Sequence, residues 1–224
     1  MDPRLRTAVD ASVGWYEDLF ALHGVASTLR DGLWSALGPP PPLHSDALVV
    51  EPRVNASEVV ARLEGHEHAG FKDSFATIDA APHGFDLLFE ATWIHRTAPD
   101  AVSGSAPSWS TVTTTEELAE WTGHHDTTAV LLPGILERAH FRILAKRVDG
   151  EIVAGAVARL ASGAVDVSNV YAVPGQAVHW AELSTVVATH FPGRPLVGYE
   201  RGDDLAAALD GGFRAVGDQR VWVR

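Results

Sequence analysis

Apolar side chains recur at helical spacing near the start of the chain. Trp15, Leu19 and Leu22 stand at i, i+4 and i+7, which is the period of a helix with one apolar face. Tyr16 and Phe20 stand beside them and widen that face. The pattern predicts a first helix that buries a broad apolar stripe.

The helical spacing continues beyond this segment and predicts a second helix. Gly38 and the prolines at 39–42 end the pattern, because proline lacks the N–H that a helix interior requires. We interpret the proline run as a stiff connector, with a ligand for an aromatic groove as the alternative. The apolar positions of the second predicted helix are Leu29, Leu33, Trp34 and Leu37.

Segments typical of strands dominate the remainder of the first half. Residues 46–52 form a short apolar run closed by proline, which predicts a strand. Asn55 and Glu58 have the spacing of a capping box, so a helix follows. Residues 74–78 and 89–95 predict two more strands. The order of the first half is therefore helix, helix, strand, helix, strand, strand.

The stretch Ser-Gly-Ser-Ala-Pro at 103–107 has the composition of a linker. We place a domain boundary there, with an N-terminal α/β half at 1–107 and a second domain at 108–224. The second domain opens with a predicted strand at 109–113 and a capping box at 114–117, which starts another helix.

Strict alternation of apolar and polar residues then gives the strongest strand signal of the chain. Residues 141–148 alternate, Asp149 and Gly150 form a two-residue turn, and residues 152–160 and 165–173 follow as further strands. We predict a three-stranded antiparallel meander.

The chain ends with two helices and two strands in alternation. Residues 196–200 predict a short strand, Asp203 is the predicted cap of a last helix, and residues 215–224 predict the closing strand. The first of these helices is indicated by Leu183, Val186, Val187 and His190 at helical spacing.

Composition excludes several classes of function. The 224 residues carry a net charge of −12, which disfavours nucleic acid as a partner. The sequence has no cysteine, which excludes disulfides, thiolate zinc sites and a cysteine nucleophile. It has no run approaching the roughly 20 apolar residues that span a bilayer. We expect a cytoplasmic protein without a membrane partner, with a homodimer as one candidate assembly.

Two clusters of histidine and carboxylate residues invite a metal hypothesis. Neither cluster has the i, i+4 spacing that aligns ligands on one helix face. Histidines at the ends of helices interact favourably with the helix dipole, so we interpret them as solvated helix-end residues and expect no metal site. The clusters are His66, Glu67 and His68, and His124, His125 and Asp126.

Three segments of the second domain resemble the GCN5-related N-acetyltransferase (GNAT) superfamily. VDGEIVAGAVARL at 148–160 is similar to that family's hairpin of its second and third strands, and VSNVYAVPG at 167–175 to its fourth strand. The ending at 203–224 is similar to its last helix, Gly-Phe turn and closing strand. The resemblance implies an α/β fold with a mixed, mostly antiparallel twisted sheet flanked by helices.

The resemblance also implies acetyl-CoA or another acyl-CoA as co-substrate. In the family, backbone N–H groups where a loop enters the helix after the fourth strand hold the pyrophosphate, and a helix N-terminus can bind an anion without any net positive charge on the protein. The positions that correspond here are Tyr171, Ala172, Val173, Gln176, Ala177, Val178, His179, Trp180 and Ala181.

Two positions depart from the family pattern. His179 stands where the family loop has its central glycine, and Ala208 stands where the family often has a tyrosine that protonates the leaving thiolate. Three interpretations of His179 and Trp180 stay open. They pack at a helix N-terminus, they stack on a planar ligand, or they plug a vestigial groove.

Three residues at the ends of the two predicted central strands are candidate catalytic groups. Glu200 could take the proton of the acceptor amine, and Tyr199 could replace the missing tyrosine as acid. Tyr171 shares a predicted face with Asn169, because residues two apart on a strand point the same way. The alternative is that Glu200 pairs with Arg201 and that Tyr171 only packs in the sheet.

These residues lead to two functional hypotheses. The first is acyl transfer from acyl-CoA to an amine of a small molecule or a protein, which makes the chain an N-acetyltransferase or related acyltransferase. The alternative is a catalytically inactive ligand-binding or scaffold protein, because the loop glycine and the tyrosine of the family are absent.

The two halves of the sequence share a spacing. Gly84-Phe85 and Gly212-Phe213 are each followed by arginine eleven residues after the phenylalanine, at Arg96 and Arg224. The N-terminal half can therefore be interpreted as a degenerate copy of the second domain that has lost its meander. The alternative is that two strand endings merely look alike.

Overall fold

Eleven strands form one continuous sheet in the computed structural model, which describes residues 1–66, 68–99 and 108–224. The strands are β1 (Ser27–Arg30), β2 (Leu33–Ala36), β3 (Ala47–Val49), β4 (Gly70–Asp73), β5 (Asp86–Arg96), β6 (Trp109–Thr111), β7 (Phe141–Val148), β8 (Glu151–Leu160), β9 (Val165–Ala172), β10 (Leu196–Glu200) and β11 (Arg214–Val223). The helices are α1 (Pro3–Leu22), α2 (Ala56–Arg62), α3 (Thr115–Gly123), α4 (Trp180–His190) and α5 (Gly202–Asp210).

The sheet order is β1-β2-β3-β4-β11-β5-β10-β9-β8-β7-β6. Two pairings are parallel, β3 with β4 and β9 with β10, and the others are antiparallel. The predicted mixed, mostly antiparallel sheet flanked by helices is confirmed.

Helices cover both faces of this sheet. Strand β3 shows the division, because Leu48 packs with α1 and α3 while its neighbours Ala47 and Val49 pack with α2 on the other face. The second face also carries α4 and α5, whose apolar residues pack on the central strands. Alternate residues of one strand therefore serve two different cores.

The strand order is nearly the same when read from either edge. Strands β1 to β4 on one side correspond to β7 to β10 on the other. At the centre, β11 of the second half lies beside β4 of the first, and β5 of the first half lies beside β10 of the second. In each set of four strands the third and fourth are parallel and joined through a helix, α2 or α4. This topology supports the interpretation of the halves as two copies of one unit.

The expected loss of the meander in the N-terminal half is wrong. Strands β1, β2 and β3 form a short antiparallel meander of their own. The proposed boundary stays a prediction, because the linker at 103–107 lies outside the described residues. The two halves nevertheless share one sheet, in which β5 lies between β11 and β10.

The second predicted helix is wrong, and a hairpin stands in its place. Leu29 pairs with Trp34 across β1 and β2. Asp31 and Gly32 form the turn with φ of 56° and 84°, values that suit the two-residue turns of antiparallel hairpins. The helical spacing was misleading because β2 is buried on both faces, so its apolar residues do not alternate with polar ones.

Two smaller predictions are also corrected. The strand expected at 74–78 is instead β4 at Gly70–Asp73, and the Asp73 carboxylate accepts from the N–H groups of Phe75 and Ile78 in the turn that follows. The cap of α5 is Arg201 rather than Asp203, and its side chain makes no capping hydrogen bond.

The remaining elements agree with the sequence predictions. Helix α1, both capping boxes and the meander β7 to β9 form where expected. Within the described residues, no helix combines the length and apolar character that a bilayer crossing requires.

Candidate functional site

Strands β9 and β10 part soon after they meet. They pair at only two positions, Leu196 with Val165 and Val197 with Asp166. Beyond that point Gly198 lies against the Val167 carbonyl, so closely that an added Cβ would be 2.5 Å from its oxygen. Because β9 and β10 form no pairs beyond these two positions, the ends of the two strands leave a gap in the middle of the sheet.

A bulge in β9 lies beside this gap. Gly155 pairs with Tyr171 and Val157 with Ser168, so two steps along β8 oppose three along β9. Asn169, in the bulge, has a φ of 50°, which is the left-handed region that asparagine tolerates better than most residues. The bulge breaks the alternation of side chains, so the two-residue spacing of Asn169 and Tyr171 does not determine their face.

A cavity of about 290 Å³ opens at the gap on the face covered by α1. Both halves of the chain contribute to its wall. The lining residues are Ser12, Trp15, Tyr16, Leu43, His44, Lys72, Trp93, His125, Thr127, Val130, Asp166, Val167, Ser168, Asn169, Val170, Tyr199 and Glu200.

Lys72 is the buried cation of this cavity. Its side chain comes from β4 and the residue is only 3% exposed. The ammonium donates to the Ser12 hydroxyl at 3.3 Å and lies 4.3 Å from the centre of the Tyr199 ring. The rings of Tyr16 and Trp93 lie 5.4 and 5.5 Å away. Burial lowers the pKa of Lys72 to about 8.

Two carboxyl groups line the same cavity. Asp166 is 8% exposed, and burial raises its pKa to about 6. Glu200 ends β10, and burial, with a smaller effect of the nearby Asp204 charge, raises its pKa to about 8. Glu200 also lines a neighbouring groove beside Arg201 and α5. Its carboxyl group is therefore positioned at the gap between β9 and β10.

Tyr199 presents its ring to the cavity and packs edge-on against Trp93, with centroids 5.6 Å apart. Although the residue as a whole is 36% exposed, desolvation raises the pKa of its hydroxyl, so the group keeps its proton at neutral pH. Tyr199 and Glu200 both line the cavity, and their catalytic roles stay a prediction.

Tyr171 lies apart from them. Its hydroxyl donates to the Trp121 carbonyl at 3.2 Å, and its ring stacks on His125 at 5.0 Å. It is 8% exposed and is not among the residues that line the cavity. The geometry gives Tyr171 a packing role beneath α3 and provides no contact through which it would reach a ligand in the cavity.

His44 lies over the cavity with both ring nitrogens engaged. Its Nε2 accepts from the Trp15 indole at 3.1 Å, so its Nδ1 carries the proton and donates to the Pro42 carbonyl at 2.9 Å. Burial lowers the pKa of His44 to about 4. The imidazole is neutral and fixed in orientation, which suits it to a wall rather than to proton transfer.

The loop after β9 and the start of α4 form the predicted phosphate site. Gly175 in this loop has a φ of 84°, and Gln176 donates its N–H to the Val173 carbonyl. His179 is the N-cap residue, exposed, and its side chain makes no capping hydrogen bond. The first-turn N–H groups of α4 therefore lack the side-chain cap that would compete with an anion. The loop also contains Ala172, Ala177 and Val178, with Ala181 in the first turn of the helix.

Trp180 does not occupy the groove. It is 3% exposed and packs edge-on against Phe213, with ring centroids 5.2 Å apart. Of the three interpretations, packing at the helix start describes Trp180. His179 has a φ of −87°, which any residue adopts, so the backbone here does not require glycine. Ala208 is completely buried on α5 against the same core, where a tyrosine ring has no room.

The sequence analysis interpreted the histidine clusters as solvated helix ends. The structure shows that two of these histidines instead contact other side chains. His66 Nδ1 lies 3.0 Å from the buried Asp46 carboxylate, and His125 stacks on Tyr171. Glu67 lies outside the described residues. Among the residues described, no three histidine, aspartate or glutamate side chains are arranged to hold a metal ion.

Sequence reasoning missed most of the cavity. Lys72, Asp166 and Ser12 are far apart along the chain. They line one cavity only because the fold brings their elements to the same place. One signal did point to Lys72. It is one of two lysines among 17 basic residues.

Comparison with known proteins supports the fold assignment. No protein-family model matches the sequence, and no curated protein matches it. Among solved structures, a GCN5-related N-acetyltransferase from Kribbella flavida has a TM-score of 0.64 and 17% identity, over 96% of this chain and 95% of that one. A GNAT-family acetyltransferase from Novosphingobium aromaticivorans has a TM-score of 0.62 and 16% identity, over 96% of this chain and 97% of that one.

A third likeness extends over both whole chains. A GCN5-related N-acetyltransferase-like protein from Streptococcus suis has a TM-score of 0.56 and 12% identity, with 100% of each chain covered. These likenesses include the N-terminal half, to which the sequence resemblance did not extend. The chain therefore has, over nearly its whole length, the fold of the GCN5-related N-acetyltransferases.

Proposed function

We propose that the protein is an acyl-CoA-dependent N-acyltransferase. The observation that carries the proposal is the gap between β9 and β10, which opens directly onto a cavity lined by Tyr199 and Glu200. The corresponding pair β3 and β4 stays joined along all three residues of β3. The proposal therefore assigns one transfer site to the chain, in its second half.

The chain's own residues fit the phosphates of an acyl-CoA. Helix α4 begins without a side-chain cap, and Trp180 is withdrawn into the core beneath it. Glu182 brings a negative charge to the first turn, but Lys146 neutralises it at 2.7 Å. The helix N-terminus can thus supply N–H donors to a phosphate even though the protein is acidic overall.

Bound acyl-CoA would supply a thioester whose acyl group is transferred. The acceptor nitrogen forms a bond to the carbonyl carbon, the carbon–sulfur bond breaks, and the sulfur leaves as a thiolate. We assign Glu200 to accept the proton that the amine loses, and Tyr199 to donate a proton to the thiolate. A pKa of about 8 keeps Glu200 close to the range in which a base works near neutral pH.

We infer that the acceptor is a small molecule rather than a protein terminus. The cavity is bounded by buried aromatic side chains, among them Trp15, Tyr16 and Trp93, and its volume is about 290 Å³. Small ligands bind in such partly enclosed apolar sites with a few polar groups.

The test is release of CoA thiol from acetyl-CoA in the presence of a panel of primary amines. We expect Glu200→Gln to lower kcat by about a hundredfold, which is the usual contribution of a positioned acid or base. Tyr199→Phe should lower it by a similar factor. Glu137→Gln, at an exposed position outside the cavity, is the matched carboxylate control.

Tyr171→Phe is the matched tyrosine control, since that hydroxyl contacts only the Trp121 carbonyl among the described residues. Turnover unaffected by both Tyr199→Phe and Glu200→Gln would refute the assigned roles. A loss confined to Tyr171→Phe would instead restore the catalytic role predicted for it from sequence. Absence of turnover with every amine, despite bound acyl-CoA, would favour the inactive ligand-binding alternative.

A further inference from the structure

Two opposite charges line the cavity without touching each other. Lys72 and Asp166 are 3% and 8% exposed, and among the described residues no ion pair within 4.0 Å joins them. A buried charge without a partner is costly. The two charges act on each other only at a distance, so each group favours direct contact with a ligand charge of the opposite sign.

The surroundings of Lys72 leave one place for an anion. Its ammonium donates to the Ser12 hydroxyl and contacts the faces of Tyr16, Trp93 and Tyr199. Aromatic faces attract a cation but do not neutralise it. No carboxylate of the described residues lies within ion-pairing distance, so the cavity itself is the direction from which an anion can reach the nitrogen.

The nearest arginine along the sheet lowers the pKa of Asp166 only from a distance and forms no ion pair with it. Arg159 is its cross-strand partner, but the guanidinium forms an ion pair with the Asp18 carboxylate, to which Nε donates at 2.6 Å. The Arg159 side chain is thereby held towards α1. Asp166 keeps a carboxylate on the cavity wall that no ion pair of the described residues satisfies.

We propose that the acyl acceptor is a small zwitterion of the amino-acid type, with its carboxylate on Lys72 and its ammonium directed at Asp166. This inference rests on the proposed function for the transfer step, but not for the binding. Before transfer the ammonium releases one proton to solvent, and the resulting amine then loses its second proton to Glu200 as its nitrogen bonds to the carbonyl carbon. The apolar wall formed by Trp15, Tyr16 and Val130 would receive an apolar side chain.

Both charges persist at neutral pH. A pKa of about 8 leaves Lys72 mostly protonated at pH 7, and a pKa of about 6 leaves Asp166 mostly ionised. A ligand carrying a single charge would satisfy one of the two groups and leave the other unpaired. A zwitterion satisfies both, which is why it is favoured over a simple amine or a simple acid.

The experiment is a thermal-shift screen of the unmodified protein against each of the common L-amino acids at millimolar concentration. We expect at least one with an apolar side chain to raise Tm. The affinity of the best ligand is then compared by calorimetry with that of its amide, which lacks the carboxylate, and of its deaminated acid, which lacks the ammonium. Each analogue should bind at least about tenfold more weakly, as expected for loss of a charge-assisted contact.

Two nearly isosteric variants assign the contacts. Lys72→Met should abolish the preference for the amino acid over its amide, and Asp166→Asn the preference over the deaminated acid. Arg147→Met is the control, because Arg147 pairs with Glu120 outside the cavity, and it should leave both preferences intact. A single cooperative thermal unfolding transition, recorded for every variant without ligand, verifies that each one folds.

The inference is overturned if no amino acid raises Tm, or if the amide and the deaminated acid bind as well as the amino acid. It is also overturned if Lys72→Met and Asp166→Asn fold but leave both preferences unchanged. Failure of the proposed function looks different, because acyl-CoA would then have no effect while an amino acid still binds. An effect of acyl-CoA without any amino-acid binding refutes only the zwitterion.

Discussion

The carbonyl oxygen of Val167 in β9 lies against the α-carbon of Gly198 in β10, where an added Cβ would be only 2.5 Å from the oxygen. This contact marks the end of the paired part of the two strands. The backbone of β10 can approach β9 only because residue 198 has no side chain. The position of the gap, and with it the mouth of the cavity, depends on this glycine.

Gly198→Ala is expected to force the two strands apart where they should still be in contact. The neighbouring atom is backbone, which cannot rotate away, so we expect a loss of about 1–3 kcal/mol in the free energy of unfolding. Acyl-CoA binding should weaken as well. Gly123→Ala is the control, because it lies at the end of α3 with open space around its Cα. Urea denaturation measures the stability of both variants. Equal stability of the two variants would contradict this account of the gap.

Glu200→Gln should stabilise the protein in a pH-dependent manner. The folded protein raises the pKa of Glu200 from 4.5 to about 8, so ionisation costs free energy of folding as pH rises through this range. The cost is absent below about pH 4.5 and complete above about pH 8. We expect the variant to gain about 4 kcal/mol over the native protein between pH 5 and pH 8.5, measured by urea denaturation.

Glu137→Gln should show no such pH-dependent gain, because its side chain is exposed. A difference for Glu200→Gln that is constant with pH would mean that Glu200 ionises in the folded protein as it does in water. Its assignment as a base near neutral pH would then lose its physical support.

Lys72→Met should raise the free energy of unfolding at pH 7, although it removes the proposed contact with the ligand carboxylate. Burial lowers the pKa of Lys72 from 10.5 to about 8, so the cost of holding the charged form is complete below about pH 8 and disappears as pH rises to about 10.5. We expect a gain of about 3 kcal/mol at pH 7 that shrinks to about 1 kcal/mol by pH 10. Lys146→Met, which removes a partly exposed ion pair, should change stability by less than about 1 kcal/mol.

Asp18 holds α1 to the second half of the chain. Its carboxylate lies 2.9 Å from Arg138, 2.8 Å from His140 and 2.6 Å from the largely buried Arg159. Asp18→Asn would leave that buried guanidinium without its anion, and we expect a loss of about 3 kcal/mol. Glu90→Gln breaks the exposed pair with Arg220 and should cost less than about 1 kcal/mol. Similar losses in both variants would show that the network around Asp18 is no stronger than a surface pair.

The sequence predicted an element correctly where a turn signal and a long alternating pattern occur next to each other. The turn at Asp149 and Gly150 joins two long alternating strands, and the sequence located that hairpin correctly. The turn at Asp31 and Gly32 carries the same signal, but its short flanking strands have apolar residues at a spacing that also suits a helix. Only tertiary burial decides between the two structures.

The cavity could be predicted only in part, for a topological reason. Tyr199 and Glu200 were accessible to sequence reasoning because both belong to one strand end. Lys72 reaches the same cavity because β5 and β11 are exchanged between the halves, which places β4 within the same sheet as β10. The bulge at Asn169, which determines what β9 presents to the cavity, has no sequence signature that alternation could reveal.

The most direct test of the central claim is the melting temperature of the unmodified protein with and without millimolar acetyl-CoA. A ligand present at about a hundred times its Kd adds about 2.7 kcal/mol of stability, so we predict a rise in Tm of about 5 °C or more. An unchanged Tm with acetyl-CoA and with longer acyl-CoA thioesters would contradict the proposal that the gap between β9 and β10 binds an acyl-CoA.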